Sequence, residues 1–455
     1  MIEIGRDVVT PMKLVQHART KRPPSPLFRF SGHGRHQSAC DAESQWGASI
    51  VRCQAVTLAR VTSLPPGTPI ELRTERMATG GESIARLDDG RIVFVSGGLP
   101  DETVQVVLTE QKKRFARGIV AAVVEPSPHR RQPGCTHAEA GECGGCDWMH
   151  LEPPTQQLYK VGIVVEQLER LGRVDAPQVS SVMMDRGRRT TVRCSVTNGS
   201  AGYRRRRSDE VFAAQSCQAA HPLLEELLVE ARFGDATEVS MRCGAGTGDR
   251  LVLTNGDVAG VSVPDDVLVA PVDAVGDAAL HERVSGRRWR VSANSFFQTS
   301  WEGAEALVAA VGRGIEGTSG SVVDLYAGVG LLGGAAAPDR LSTAVESNPS
   351  SVGDAVRNLG DQVQVIQSRV ERWTPVDCEV VIADPARRGL AKDGVTVVDQ
   401  TNASRLVLVS CDPAALGRDT ALLTEHGWTY QRGELIDMFP DTSRIEVVST
   451  FTRDG

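Results

Sequence analysis

From Thr68 to Val124 the chain runs in short stretches of alternating apolar and polar residues, IELRTERMA, RIVFVSG, TVQVVLTEQ and ARGIVAAVVE, broken by turn signals at GG, DDG and GGLPDE. Period-two alternation between such breaks predicts a small antiparallel barrel of about five strands. After the Pro-punctuated stretch 126–133 the period lengthens, and a helix is expected over Pro154–Leu171 with Leu158, Val161, Val165 and Leu168 along one face. Mixed strand and helix signals continue to about Trp289, among them the helical PLLEELLVEARF. From Ser321 apolar strands alternate with helical stretches: SVVDLYA, STAVES, VQVIQ, CEVVIAD and RLVLVS, then two closing strands near WTYQRGELI and IEVVSTF. Strand–helix alternation of this kind predicts a doubly wound α/β domain, a mostly parallel sheet with an antiparallel edge.

Residues 1–65 have no sustained apolar period and read as a flexible extension, with no role expected for Cys40 or Cys53. The domains expected are therefore 1–65 extension, 66–126 β-barrel, 127–290 mixed α+β central domain and 291–455 Rossmann-like domain. In 455 residues, 50 Lys and Arg face 57 Asp and Glu, so the net charge of −7 excludes a globally basic coat protein for nucleic acid but not a local basic patch. No apolar run reaches a membrane span and the N-terminus lacks a signal-peptide pattern; the expectation is a cytoplasmic protein with no membrane contact. Ten cysteines are too few for a disulfide framework in a chain this long. Three of them cluster, which suggests metal or catalysis.

Chemistry concentrates at the expected ends of the parallel strands. Gly328-Val-Gly330-Leu-Leu-Gly333 follows SVVDLYA, where small residues let the backbone turn and approach a nucleotide at a helix start. The spacing also matches a dinucleotide fingerprint, so a nicotinamide enzyme competes. Glu346, ending the next strand, suits two ribose hydroxyls, and Asp324 at the mouth of the first suits a cationic amino group, which favours S-adenosylmethionine. Asp384-Pro-Ala-Arg387 and Ser410-Cys411-Asp412-Pro413 end two further strands. Cys411, just before a helix start that favours a thiolate, presents sulfur to whatever lies beside the cofactor.

Taken together these motifs resemble the uracil-C5 RNA methyltransferases, which form 5-methyluridine in ribosomal and transfer RNA. The resemblance covers roughly Thr68 to the C-terminus. GGESIARLDDGRIVFVSGGLPDE is similar to that family's RNA-binding TRAM barrel, an oligonucleotide-fold module, and CGGCDWMHL to its iron-sulfur loop. SFFQTS at 295–300, DLYAGVG at 324–330, DPARRG at 384–389, SCDPAALGRD at 410–419 and FPDTSRIE at 439–446 follow in the family's order. The resemblance implies Cys411 as nucleophile and Glu446 as general base. It also implies Gln298, Tyr326, Glu346 and Asp384, with Asp324, Gly328 and Gly330, around the methyl donor and uracil. Phe296 and Phe297 are candidates to stack on a base taken out of its stack. Arg444 departs from the pattern, which commonly has His at that place.

Cys135, Cys143 and Cys146 have the spacing C-x7-C-x2-C, with Cys217 downstream. Four thiolates suit zinc or iron-sulfur, and His137 and His150 lie near enough in sequence to serve zinc; the resemblance implies a 4Fe-4S cluster on the four cysteines. Arg186, Arg188, Arg189 and Arg193 precede Arg204 to Arg207 with no acid between, a density suited to phosphates, and Tyr203 beside them is a candidate to stack on a base. Lys112, Lys113 and Arg114 are weaker candidates of the same kind. The expected function is transfer of a methyl group from S-adenosylmethionine to C5 of a uridine in ribosomal or transfer RNA, 23S rRNA favoured, by a monomer with no protein partner implied. A non-catalytic RNA-binding iron-sulfur protein and a nicotinamide oxidoreductase are the alternatives.

Overall fold

A computed structural model describes residues 67–184, 188–206, 208–273 and 276–453; the proposed extension, Arg186 and Arg207 lie outside them. Strands β1 (Ile70–Met77), β2 (Ser83–Arg86), β3 (Ile92–Ser96), β4 (Thr103–Gln111) and β5 (Phe115–Glu125) close a barrel in the order β1-β2-β3-β5-β4. Alternation does the work here: Leu72, Ala85, Val93, Val95, Val104, Val106 and Ala116 point inward as its core. The barrel is not wholly antiparallel, because β3 and β5 run parallel where the chain closes it.

The middle of the chain begins with a short helix α1 (Thr136–Glu139), the long helix α2 (Pro153–Arg170) and strand β6 (Val179–Met183). Next come β7 (Thr191–Thr197), β8 (Ser200–Arg204), β9 (Val211–Ala213), α3 (Pro222–Glu230), β10 (Arg232–Phe233), β11 (Glu238–Cys243), β12 (Arg250–Thr254), β13 (Val261–Ser262) and β14 (Val267–Pro271). They build a six-stranded sheet ordered β14-β12-β11-β7-β8-β9, with α3 packed on it through Leu224, Leu227 and Leu228. A hairpin of β15 (Ala279–Val284) and β16 (Arg287–Ser292) leads into the last part.

There α4 (Trp301–Gly314), β17 (Val322–Leu325), α5 (Leu331–Ala336), β18 (Leu341–Glu346), α6 (Pro349–Leu359), β19 (Gln364–Gln367), β20 (Val380–Ala383), α7 (Ala391–Gln400), β21 (Arg405–Ser410), α8 (Pro413–Glu425), β22 (Thr429–Asp437) and β23 (Val447–Thr452) follow in turn. The sheet order is β19-β18-β17-β20-β21-β23-β22-β6. Strands β17 to β21 are parallel, with wholly apolar runs such as Val380–Ala383 buried between helices on both faces. This is the expected mostly parallel α/β sheet, with a difference at its margin. The antiparallel strand β23 lies inside the sheet, and the edge is β6, drawn from the middle of the chain to run parallel to β22.

Helix α2 also differs from its expected face. Leu158 is 68% exposed, while Gln156, Lys160, Ile163, Val164, Gln167 and Leu168 are buried. The face is rotated because polar groups on it have buried partners. Lys160 Nζ meets Asp437 Oδ1 at 2.6 Å and the Phe439 carbonyl at 3.0 Å. Gln156 Nε2 donates to the Trp148 and Leu151 carbonyls and, at 2.9 Å, to Asp441 Oδ1. A periodicity count that treats Lys and Gln as solvent-facing misses this face.

Candidate active site

The carboxyl ends of β17, β18, β20 and β21 bring Asp324, Tyr326, Glu346, Asp384 and Cys411 to one edge of the sheet, where open α/β sheets hold their ligands. Ser410 of β21 pairs with Val447 of β23. Because those strands are antiparallel, the next residue outward on each is Cys411 on one and Glu446 on the other. Glu446 is only 7% exposed, so it is not a solvent-facing strand residue. Burial and the nearby Asp384 push its carboxyl well above the usual range. Asp384 is likewise raised by burial, to about 7, opposed by a hydrogen bond from Gln298 Nε2 at 3.3 Å. Burial, with Glu446 and Asp384 beside it, pushes the Cys411 thiol to about 11, and Arg387 pulls the other way. The thiolate expected from the helix start is therefore not the resting form. The cap residue Asp412 turns its own carboxylate onto the first turn of α8, accepting from the Ala415 amide at 2.7 Å.

Beside these groups lies the turn that follows β17. Tyr326 has φ +60, which an aromatic residue rarely adopts, and its hydroxyl is buried near Glu371. A Cβ on Gly328, φ +55, would meet nothing within 4 Å, so that backbone faces open space. Gly330, φ +86, caps α5. Asp324, almost fully buried, accepts from the Gly333 amide through Oδ2 at 2.9 Å, and its Oδ1 is left without a partner. Burial raises it to about 7. Glu346 accepts from the amides of Gly328 at 2.9 Å and of Ser347 and Asn348 at 2.6 Å. An orphaned buried carboxylate oxygen and an open glycine backbone fit a donor with a cationic amino group and ribose hydroxyls.

Gln298 stands in the loop before α4, which Asp354 fixes by accepting from the Ser295 hydroxyl at 2.6 Å and the Ser292 amide at 2.7 Å. Of the adjacent phenylalanines, Phe297 is in the core and Phe296 is 63% exposed. Asp354 and the polar face of α2 are the supporting residues that sequence reasoning missed; a buried acid inside an amphipathic helix leaves no periodic signal.

The cysteines and the basic run divide. Cys135, Cys143, Cys146 and Cys217 are free and partly exposed. Cys143 senses Cys217 and Cys135, and Cys146 senses Cys217 and Cys143; burial raises both, Cys146 to about 12. Among the described residues no group of three or more Cys, His, Asp or Glu is placed to hold a metal ion. Cys194 and Cys243 are buried in packing. Arg204 and Arg205 pair with Asp209, Glu238, Glu142 and Glu210, and Arg189 and Arg206 line a cavity. Tyr203 is half-buried and packs against Phe212.

The TRAM domain family matches residues 66–121, the barrel described above. An uncharacterized RNA methyltransferase of Streptomyces avermitilis is 32% identical over 425 residues, covering 84% of this chain and 98% of its own. The chain belongs to this family of RNA methyltransferases. A counterpart in Streptomyces coelicolor is 33% identical over 84% of this chain and 92% of its own. The crystal structure of Pyrococcus abyssi tRNA (uracil-54, C5)-methyltransferase in complex with S-adenosyl-L-homocysteine aligns with a TM-score of 0.64 at 20% identity, over 84% of this chain and 99% of that one. That likeness establishes a shared fold, and with it the class of sheet read from the strand–helix alternation. Among the described residues no helix of this RNA methyltransferase is long and apolar enough to cross a membrane.

Proposed function

We propose that this protein methylates C5 of a uridine in ribosomal or transfer RNA, 23S rRNA favoured, with Cys411 as nucleophile and Glu446 as base. The observation that carries this reading is their cross-strand adjacency, one step beyond the Ser410–Val447 pair and beside the buried Asp384. Uracil C5 is a poor nucleophile. Addition of Cys411 as a thiolate to C6, its proton first lost to solvent, gives C5 enolate character; C5 would then bond to the methyl group of S-adenosylmethionine as the sulfonium–methyl bond breaks and S-adenosylhomocysteine leaves. Asp324, Tyr326, Gly328, Gly330 and Glu346 would hold that donor. Burial makes the Glu446 carboxylate a stronger proton acceptor, so Glu446 removes the C5 proton and the C6–sulfur bond breaks to release the product. Gln298 and Asp384 hold the ring, and exposed Phe296 stacks on the flipped base.

RNA carrying 5-fluorouridine tests the reaction, because fluorine cannot leave as a proton and the adduct is trapped. Peptide mapping is expected to find the nucleotide on Cys411, and any other attachment site overturns the assignment. Cys411→Ala is expected to bind RNA and form no adduct. Glu446→Gln is expected to transfer the methyl group and accumulate a protein–RNA species stable to denaturing gels.

We propose that Cys135, Cys143, Cys146 and Cys217 hold a 4Fe-4S cluster, supported by the burial of Cys143 and Cys146 and by the electrostatic influence of Cys217 on both. The cluster would cross-link the loop before α2 to the six-stranded sheet. Anaerobically purified protein is expected to be brown and to contain iron; a colourless protein with stoichiometric zinc refutes this.

A further inference from the structure

A cavity of about 480 Å³ opens where the barrel, the cysteine loop and the loop leading to Glu446 meet, lined by Gly81, Arg117, Gly145, Asp147, Arg189, Arg206 and Arg444, among others. Arg117 belongs to the barrel, Arg189 and Arg206 to the basic run, and Arg444 stands two residues before the proposed base. The two acids in the wall are engaged. Glu82 pairs with Arg117 and accepts from the Ser96 hydroxyl at 2.9 Å, and Asp147 Oδ1 accepts from the Ser443 amide at 3.0 Å. Arg189 donates to the Gly145 carbonyl at 3.1 Å, an uncharged partner, and Arg444 lies over the Phe439 ring at 5.7 Å.

Like charges thus converge on a concave, glycine-walled space. Arg444 is lowered by desolvation and by Arg189 and Arg387, and it feels the Cys411 sulfur. Asp147 offsets part of this on Arg444, but among the described residues neither Arg189 nor Arg444 forms an ion pair, and the planar fork of a guanidinium matches phosphate oxygens. We propose that this cavity binds a backbone phosphodiester of the RNA beside the target uridine, with Arg444 and Arg189 as its principal ligands. The phosphate would be fixed from the same loop that carries Glu446, so gripping the strand and aligning the base become one event. Arg444 is here a binding residue. This inference rests on the proposed reaction for its choice of RNA strand, but not for the presence of an anion site.

The test uses fluorescence anisotropy of a labelled dodecauridine on the full chain across a range of salt concentrations. Arg444→Gln is expected to weaken binding about tenfold at low salt and to flatten the salt slope by roughly 0.7, the share of one single-strand phosphate. Arg444→Lys is expected to keep the slope and lose part of the affinity, and it also guards against misfolding as the cause. Arg313→Gln, remote from the cavity and paired with Glu434, is expected to behave as wild type. An unchanged slope in Arg444→Gln overturns the site. Methyl transfer to RNA from labelled S-adenosylmethionine is followed on the same wild-type preparation. Arg444-dependent binding without methylation leaves the phosphate site standing and sinks the reaction; methylation with an Arg444-independent slope does the reverse.

Discussion

Cys411 must shed a proton to act, and its surroundings resist that. With the thiol raised to about 11 by burial, Glu446 and Asp384, alkylation by iodoacetamide in the free protein is expected to be slow at neutral pH and to rise roughly tenfold per pH unit toward that value. Glu446→Gln removes a negative neighbour, lowers the thiol and is expected to speed alkylation several-fold at pH 9, read by peptide mass spectrometry; an unchanged rate refutes the electrostatic link. Asp384 has its own signature. Its carboxyl moves from 3.8 to about 7 on folding, so the folded state binds the extra proton between these values. Stability is present below the lower value and is lost as pH rises through the upper one, by at most about 1.4 kcal/mol per pH unit. Asp384→Asn is therefore expected to gain thermal stability over wild type progressively from about pH 4 to pH 7. Sequence motifs made these residues visible by type. They did not reveal the raised thiol, because that depends on which carboxylates the sheet brings alongside.

At the scale of elements, α2 acts as a bracket. Its buried Lys160 and Gln156 hold the segment from Asp437 to Asp441, just before Arg444 and Glu446. Lys160→Met leaves Asp437 buried without its partner and is expected to cost about 3–5 kcal/mol in denaturant unfolding. The double variant with Asp437→Leu should recover much of that loss; if it does not, the pair is not what sustains the bracket. The strands and helices themselves were legible, since apolar runs between helical stretches specify a parallel sheet almost uniquely. The face of α2 was not, because its buried side is half polar, and neither was β6, whose VSSVM carries too little apolar content to read as part of a distant sheet.

Across the whole molecule, the barrel meets the remainder at a tight joint. Trp148 Nε1 donates to the Gly81 carbonyl at 3.0 Å and its amide to the Asp441 carbonyl at 3.0 Å. A Cβ at Gly81, φ +88, would fall 2.5 Å from Ser443 Cβ and 2.7 Å from Asp147 Oδ2. Gly81→Ala is thus expected to cost about 1–3 kcal/mol and to weaken RNA binding, while the affinity for S-adenosylmethionine measured by calorimetry stays the same. A sequence can name a barrel and a sheet; which glycine separates them depends on tertiary contact alone. The edge strand β6 also sets a timetable. Its partner Gly433 lies about 250 residues downstream, and at roughly 5–20 residues per second the ribosome needs about 10–50 s to deliver it. Throughout that interval α2 and β6 have left the exit tunnel with Lys160 and an unsatisfied strand edge waiting for residues not yet made. A nascent chain stalled before Thr429 is accordingly the form of this protein most exposed to misassociation, and the arrival of β22 and β23 is what ends that exposure.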